Sequence, residues 1–469
     1  MSREVDIQAS SNNIPAYVRL TGGDFFNLAM ELGTASPKPP ANICRLVLHL
    51  DGYLSAEALM EAVRKTGIDN WLASARWSRP IPFFIPRWKA SENGNGFFIH
   101  ENRIAEGDRD KLPRFVLSRK VSPFTPPAFA FDLLHYPSGK TSLVLTWHHA
   151  LMDARGAEML TTLIGVTGNG KGPVHSFFFD RPATLKEDAS SWLRIPSRSC
   201  FARKAIHTAA RYCRAPIAAI GTAKSKSGED HGQVYRVISF DSEDAALIDE
   251  ACISAGAGFR ISIYFLAATI RAFDKVISAR GCKPSAYVVP VPIDTRKRGS
   301  MGPVFGNHIT FLFFRAEQED ISSMNRLVTV LGKQMMEQIR GMTPESFTTT
   351  MELFRNLPMG IFALQAAGPT KGQIASFFFS FPGETCQGLD SFLDVPVLEV
   401  LHLPPVSVPP GLSIIFNKYR GMLSVVLSFA EGWFDHEELD LLEYSIRKEL
   451  LDTLRKGYSE QKVFSGEPS

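Results

Sequence analysis

An apolar strand that runs straight into two adjacent histidines constrains this chain more than any other feature. Thr141 to Trp147 reads Thr-Ser-Leu-Val-Leu-Thr-Trp, and His148 and His149 follow directly. Neighbouring strand residues point to opposite faces, so only one imidazole can face a given cleft. The other must turn inward and find a hydrogen-bond partner, because an unpaired buried polar group is costly. A chain that keeps this pair needs a packed face on one side of the strand and an opening on the other. Asp153 stands four residues after His149. A histidine at a strand end suits general-base work, since its ordinary pKa lies near neutral pH. The competing reading is a structural pair with both rings satisfied in the core.

The rest of the chain alternates strand and helix signals. Ile43 to Leu50 predicts a strand, Ser55 a helix cap, and Phe129 to His135 a strand joined to Thr141–Trp147 by a turn at Pro137-Ser138-Gly139. After Asp153 a helix is expected. In the second half, strands are expected at Val234–Phe240, Ala286–Val291, Ile309–Phe314, Ile374–Phe381, Leu412–Asn417 and Met422–Phe429. Helices are expected from Ser242, over about Ile263–Val276, and over His436–Lys456. This predicts two α/β halves, residues 1–180 and 233–469, joined by a linker at 181–232.

That linker is strongly basic. Arg194, Arg198, Arg203, Lys204, Arg211, Arg214, Lys224 and Lys226 occur with no acidic residue between the first and the last. Three readings compete: peripheral contact with an anionic membrane through residues 190–226, a dock for an acidic partner, and a solvated crossover. Pro196 and Pro216 limit any helix here, which favours the crossover. Over the whole chain the net charge is only +3, so nucleic-acid binding is not expected. The six cysteines lie far apart with no metal-ligand spacing, which points to free thiols and no metal site. With no apolar leader and no run long enough to span a bilayer, a cytoplasmic protein is expected. Gly165 to Gly172 matches a phosphate-binding loop as far as G-x-x-x-x-G-K. Gly172 replaces its Ser/Thr and a helix precedes it, so an exposed loop is the better reading.

Further stretches in order along the chain accompany the histidine motif. They are Pro290-Val291-Pro292-Ile293-Asp294-Thr295-Arg296, Gly306-Asn307 ahead of an apolar strand, Phe379-Ser380-Phe381-Pro382-Gly383, and the pair Pro410-Gly411-Leu412 and Tyr419-Arg420-Gly421-Met422-Leu423. Together with His148-His149-x-x-x-Asp153 they resemble the HHxxxDG acyltransferase superfamily, from about Gly22 to Leu454. That superfamily holds condensation domains, wax ester synthases, polyketide-associated acyltransferases and chloramphenicol acetyltransferase. The resemblance implies a pseudo-dimer of two chloramphenicol-acetyltransferase-like halves with the active-site tunnel between them.

It also implies an acyltransferase with no bound cofactor. The donor would be a thioester on coenzyme A or on the phosphopantetheine of an acyl carrier protein, and the acceptor a small alcohol or amine. His149 would be the base. His148, Asp153, Gly156 and Arg296 would be structural, with Arg296 the partner of Asp153, and Trp147, Asn307 and Ser380 would line the tunnel. Two departures stand out. Ala154 takes the place of the glycine after the motif aspartate and would be strained if that position needs φ > 0, and Phe379-Ser380 replaces a Ser-Asn pair. Both departures leave open a degenerate domain that binds a carrier protein or acyl group without catalysis.

Overall fold

The computed structural model describes residues 17–32, 42–79, 84–90, 99–105, 111–168, 178–179, 195–214, 216–220, 232–282, 286–362, 375–407 and 409–465. In chain order its first half contains β1 (Tyr17–Arg19), α1 (Gly22–Leu32), β2 (Ile43–Leu50), α2 (Ala56–Thr66), α3 (Asp69–Ser74), β3 (Arg76–Ser78), β4 (Arg87–Lys89), β5 (Ile99–Arg103), α4 (Arg114–Leu117), β6 (Phe129–His135), β7 (Thr141–His148) and α5 (Ala154–Gly168). A helix α6 (Ile195–Tyr212) precedes β8 (Gln233–Phe240), α7 (Ser242–Ser254), α8 (Ile261–Ala279), β9 (Ala286–Asp294), β10 (Ile309–Glu317), α9 (Met324–Arg340) and α10 (Thr343–Phe354). The chain ends with β11 (Phe378–Ser380), β12 (Ser391–Phe392), β13 (Val395–Leu403), β14 (Leu412–Tyr419), β15 (Met422–Ala430) and α11 (His436–Ser465).

Local chemistry sets the element ends. Ser55 accepts the Ala58 N–H and opens α2, whose Leu59, Ala62 and Val63 face the core at helical spacing. α7 opens at Ser242 as expected, capped by Asp241, which accepts from the Glu243 and Asp244 amides. Gly165 lies inside α5, not in a loop, so the phosphate-loop pattern has no loop to occupy there. Positions 169–172 lie outside the described residues.

β2 and β7 are buried along their whole length because both faces are covered. One face packs Leu46, Leu145 and Trp147 against Ala157 and Leu160 of α5. The opposite face packs Val47 and Val144 against Leu401, Leu403, Ile415 and Val426, which brings the sheets of the two halves together. The larger sheet has the order β12-β13-β2-β7-β6-β5, and the second sheet the order β11-β14-β15-β8.

The order corrects the sequence reading. β12 and β13 come from the second half, yet β13 pairs antiparallel with β2 from Val397–Leu50 to Leu403–Arg45. A division at residues 180 and 233 therefore does not partition the sheets. The basic segment also differs from a solvated crossover where it is described. α6 packs on α10, burying Ala202, Ala205 and Tyr212, while Arg203, Lys204, Arg211 and Arg214 stay exposed. Buried Arg315 donates to the Tyr212 and Arg214 carbonyls and holds the helix C-terminus. Arg194, Lys224 and Lys226 lie outside the described residues.

Because β13 finds its main partner in β2, a fragment of residues 233–469 would expose a long apolar strand edge. Expressed alone, it is expected to aggregate or self-associate in light scattering. A soluble, monodisperse fragment would contradict the shared sheet.

Candidate active site

β7 delivers the histidines, and its hydrogen bonds stop at the right place to release them. The His148 amide donates to Ala128 O and the His149 amide to Asn42 O, after which Leu151 N turns back to His148 O. His148 points inward and is fully buried. Its Nδ1 accepts from the Ala150 amide, so Nε2 carries the proton and donates to Glu31 Oε2 at 2.9 Å. His149 is half-buried and its ring lines the cavity between the halves.

Asp153 ties the loop down with both oxygens. Oδ1 accepts the Gly156 amide at 2.8 Å and caps α5. Oδ2 accepts from Arg296 Nη1 at 3.0 Å and from the His308 amide at 2.8 Å, both in the second half. Arg296 is the partner expected from sequence, and its side chain is 3% exposed against 4% for Asp153. The guanidinium also donates to Pro303 O and Asp294 Oδ1.

Residues 303–308 form a strap beneath the histidine loop. The Gly306 amide donates to Leu151 O, and its φ of +90° is one that glycine adopts without strain. A Cβ on Gly156 would stand 2.2 Å from Val304 O, so Gly156 is where this motif needs its glycine. Ala154, by contrast, begins α5 and is not among the positive-φ residues. The strain considered for Ala154 is absent.

Asn307 departs from its expected role as a tunnel residue. It is 3% exposed, and its Nδ2 donates to Asp24 Oδ1 and to His149 O while its Oδ1 accepts from Asn27 Nδ2. The amide is used up holding the two halves together. Trp147 is likewise a core residue whose indole donates to Met152 O, although it touches the cavity wall. Ser380, at the end of β11, is half-buried on that wall.

The cavity measures about 1240 Å³. Phe26 and His149 of the first half, Pro290, Phe311 and Phe379 of the second, and Ala209 of α6 all contribute to its wall. Burial holds the His149 pKa below the ordinary 6.5, outweighing the opposite pull of its own carbonyl and of Asp153. The ring is therefore neutral at neutral pH. Its Nδ1 is buried and finds no partner among the described residues. Burial raises Asp24 to about 6 despite bonds from Asn307 and Thr21. Among the described residues no group of three or more His, Cys, Asp or Glu could hold a metal ion.

Sequence reasoning missed Glu31, Asp24 and the strap contacts, since nothing local marks a residue as a partner across 117 to 283 positions. It also missed the buried pair His402–Glu158 and the half-exposed Arg155 bonded to Glu158, of which His402 and Arg155 line the cavity.

Asp153→Asn keeps an oxygen for the cap but removes the buried one of the two carboxylates on Arg296, leaving exposed Asp294. The expected loss is up to about 3 kcal/mol in denaturant titration. Gly156→Ala lies in a helix, where the exchange normally stabilises by up to about 1 kcal/mol. Here it is expected to destabilise instead, and a more stable Gly156→Ala would contradict the close contact with Val304.

No family model and no curated protein matches the sequence. Solved structures do. The first condensation domain of the CDA synthetase aligns with a TM-score of 0.65 over 95% of this chain and 98% of its own, at 14% identity. The starter condensation domain of rhizomide synthetase, solved with C8-CoA and Leu-SNAC, aligns at 0.62 over 94% and 95%, at 12% identity. The X-domain from teicoplanin biosynthesis aligns at 0.61 over 94% and 96%, at 13% identity. With two α/β halves enclosing a shared cavity, the chain has the fold of the condensation domains, the chloramphenicol-acetyltransferase-like pseudo-dimer.

Proposed function

We propose that this protein is an acyltransferase that moves an acyl group from a thioester to an alcohol or amine. The observation that carries this reading is His149, a neutral imidazole at the wall of a large cavity between the halves, held there by contacts from both.

With Nδ1 buried, Nε2 is the nitrogen that acts as base. The acceptor oxygen or nitrogen attacks the thioester carbonyl carbon, and its proton passes to Nε2. The C–S bond breaks, and the leaving sulfur takes the proton from the imidazolium, which returns His149 to its neutral state. No covalent enzyme intermediate is needed. A positioned base typically contributes about 10² to 10⁴-fold. Asp153, Arg296 and Asn307 act on the loop and not on the substrate. Phe26, Phe311, Phe354 and Phe362 line one region of the cavity, which suits an apolar acyl group. With Ala154 in ordinary helical geometry, one reason for reading the domain as degenerate falls away.

The donor in this reading is carried by coenzyme A or by phosphopantetheine. The rhizomide neighbour was solved with C8-CoA. α6 places Ala205, Ala209 and, just past its end, Cys213 on the cavity wall and turns exposed Arg203, Lys204 and Arg211 outward. That basic face suits an acidic carrier protein.

Intact-mass detection of acylated products, from a panel of acyl thioesters against alcohols and amines, tests the reading. His149→Ala is expected to abolish transfer with an almost unchanged Tm, and normal turnover in that variant would sink the mechanism. The pH dependence of kcat/KM is expected to fall on the acid side only below 6.5, because burial lowers the pKa of the base. Replacing Arg203, Lys204 and Arg211 by Gln should raise KM for a carrier-borne donor and leave a small free thioester unaffected. That difference should fade at high salt. An equal response to both donors would remove the carrier-docking role.

A further inference from the structure

The mechanism above makes no use of a second buried histidine on the cavity wall. His402 of β13 is 2% exposed, and its Nε2 lies 2.9 Å from Glu158 Oε1 on α5. Glu158 is 1% exposed. Its other oxygen accepts from Arg155 Nη1 at 2.7 Å and from the Cys386 amide at 3.3 Å. Arg155 and His402 both line the cavity.

Stability alone does not call for this cluster, because replacing buried ion pairs by well-packed apolar side chains is often neutral or stabilising. Its hydrogen-bond pattern is specific. Arg155 Nη1 supplies a cation on one Glu158 oxygen, and His402 Nε2 faces the other. Nε2–H then donates to Glu158, which fixes the tautomer and leaves the Nδ1 lone pair. Asn417 Oδ1 takes the His402 backbone amide, and Nδ1 has no hydrogen bond among the described residues.

The position separates His402 from the chemistry. His402 pairs with Leu46, and the His149 amide bonds Asn42 O, so the two histidines flank β2 four residues apart. At the usual strand rise that is about 13 Å, too far for both rings to serve one carbonyl.

We propose that His402, held by Glu158, which Arg155 in turn holds, is a recognition point for a hydrogen-bond donor, a hydroxyl or amine N–H, carried by the substrate remote from its reacting atoms. The proposal rests on the reading that the cavity takes a substrate, but not on turnover.

Calorimetric binding of octanol and of its α,ω-diol to the full-length protein tests it. The diol offers a second hydroxyl on the same apolar chain. It is expected to bind roughly three- to tenfold tighter, the worth of one net hydrogen bond, and His402→Leu is expected to reduce that preference to less than about twofold. If His402→Leu fails to fold, the ¹⁵N resonance of Nδ1 in the wild-type protein should move with the diol and stay still with octanol. Equal affinities, a preference that survives in His402→Leu, or an unmoved Nδ1 would overturn the proposal. A protein that shows the preference but transfers no acyl group would leave it standing and overturn the catalytic reading alone.

Discussion

Asp153 is the joint on which the site depends. One carboxylate oxygen caps the helix that begins within its own half, and the other reaches a guanidinium and a backbone amide of the second half. Neither oxygen is free to rearrange without breaking the other contact. A charge pair with both side chains nearly inaccessible stays favourable only while both members are present and hydrogen-bonded. Around it, Gly156 lets α5 approach Val304 O, and Asn307 reaches from the strap to the His149 carbonyl. The histidine loop is thus assembled from both halves, which is why the catalytic candidate stands at their boundary.

The electrostatics follow from that placement. Burial lowers the basicity of His149 while Asp153, the nearest acid of the motif, partly restores it. The Asp153 carboxylate is occupied with Arg296 and the strap and is not bonded to the His149 ring. This differs from an arrangement in which a carboxylate directly orients the base. Here the backbone does the orienting, through the His149 amide on Asn42 and the His149 carbonyl under Asn307. The carboxylate-oriented histidine in this cavity is His402, on the far side of β2.

Much of this was legible in the sequence because it is local. Continuous apolar runs marked β2 and β7, Ser55 marked the start of α2, and strand alternation required that His148 and His149 face different ways. The Asp153–Arg296 pair came from the resemblance, across 143 positions. What the sequence did not reveal is long-range or concealed by composition. β13 contains Pro396 and Glu399 among its apolar residues and reads poorly as a strand, so its membership of the first sheet and the position of His402 were missed. In α6 the charges dominate the composition and point to a crossover, whereas the small residues at 202, 205 and 209 are what pack. Asn307 was placed in the tunnel because the resemblance put it near the site. The three hydrogen bonds that consume its amide come from residues 158 to 283 positions away.

A strap from the second half holds the His149 loop at the cavity wall, and the proposed chemistry needs a neutral His149 ring there. A ¹⁵N-imidazole titration that assigns His149 by comparison with His149→Ala tests this directly. A midpoint below 6.5 is expected, with the ring neutral at pH 7. A His149 that stays charged at pH 7 could not accept the acceptor's proton, and that result would contradict the account.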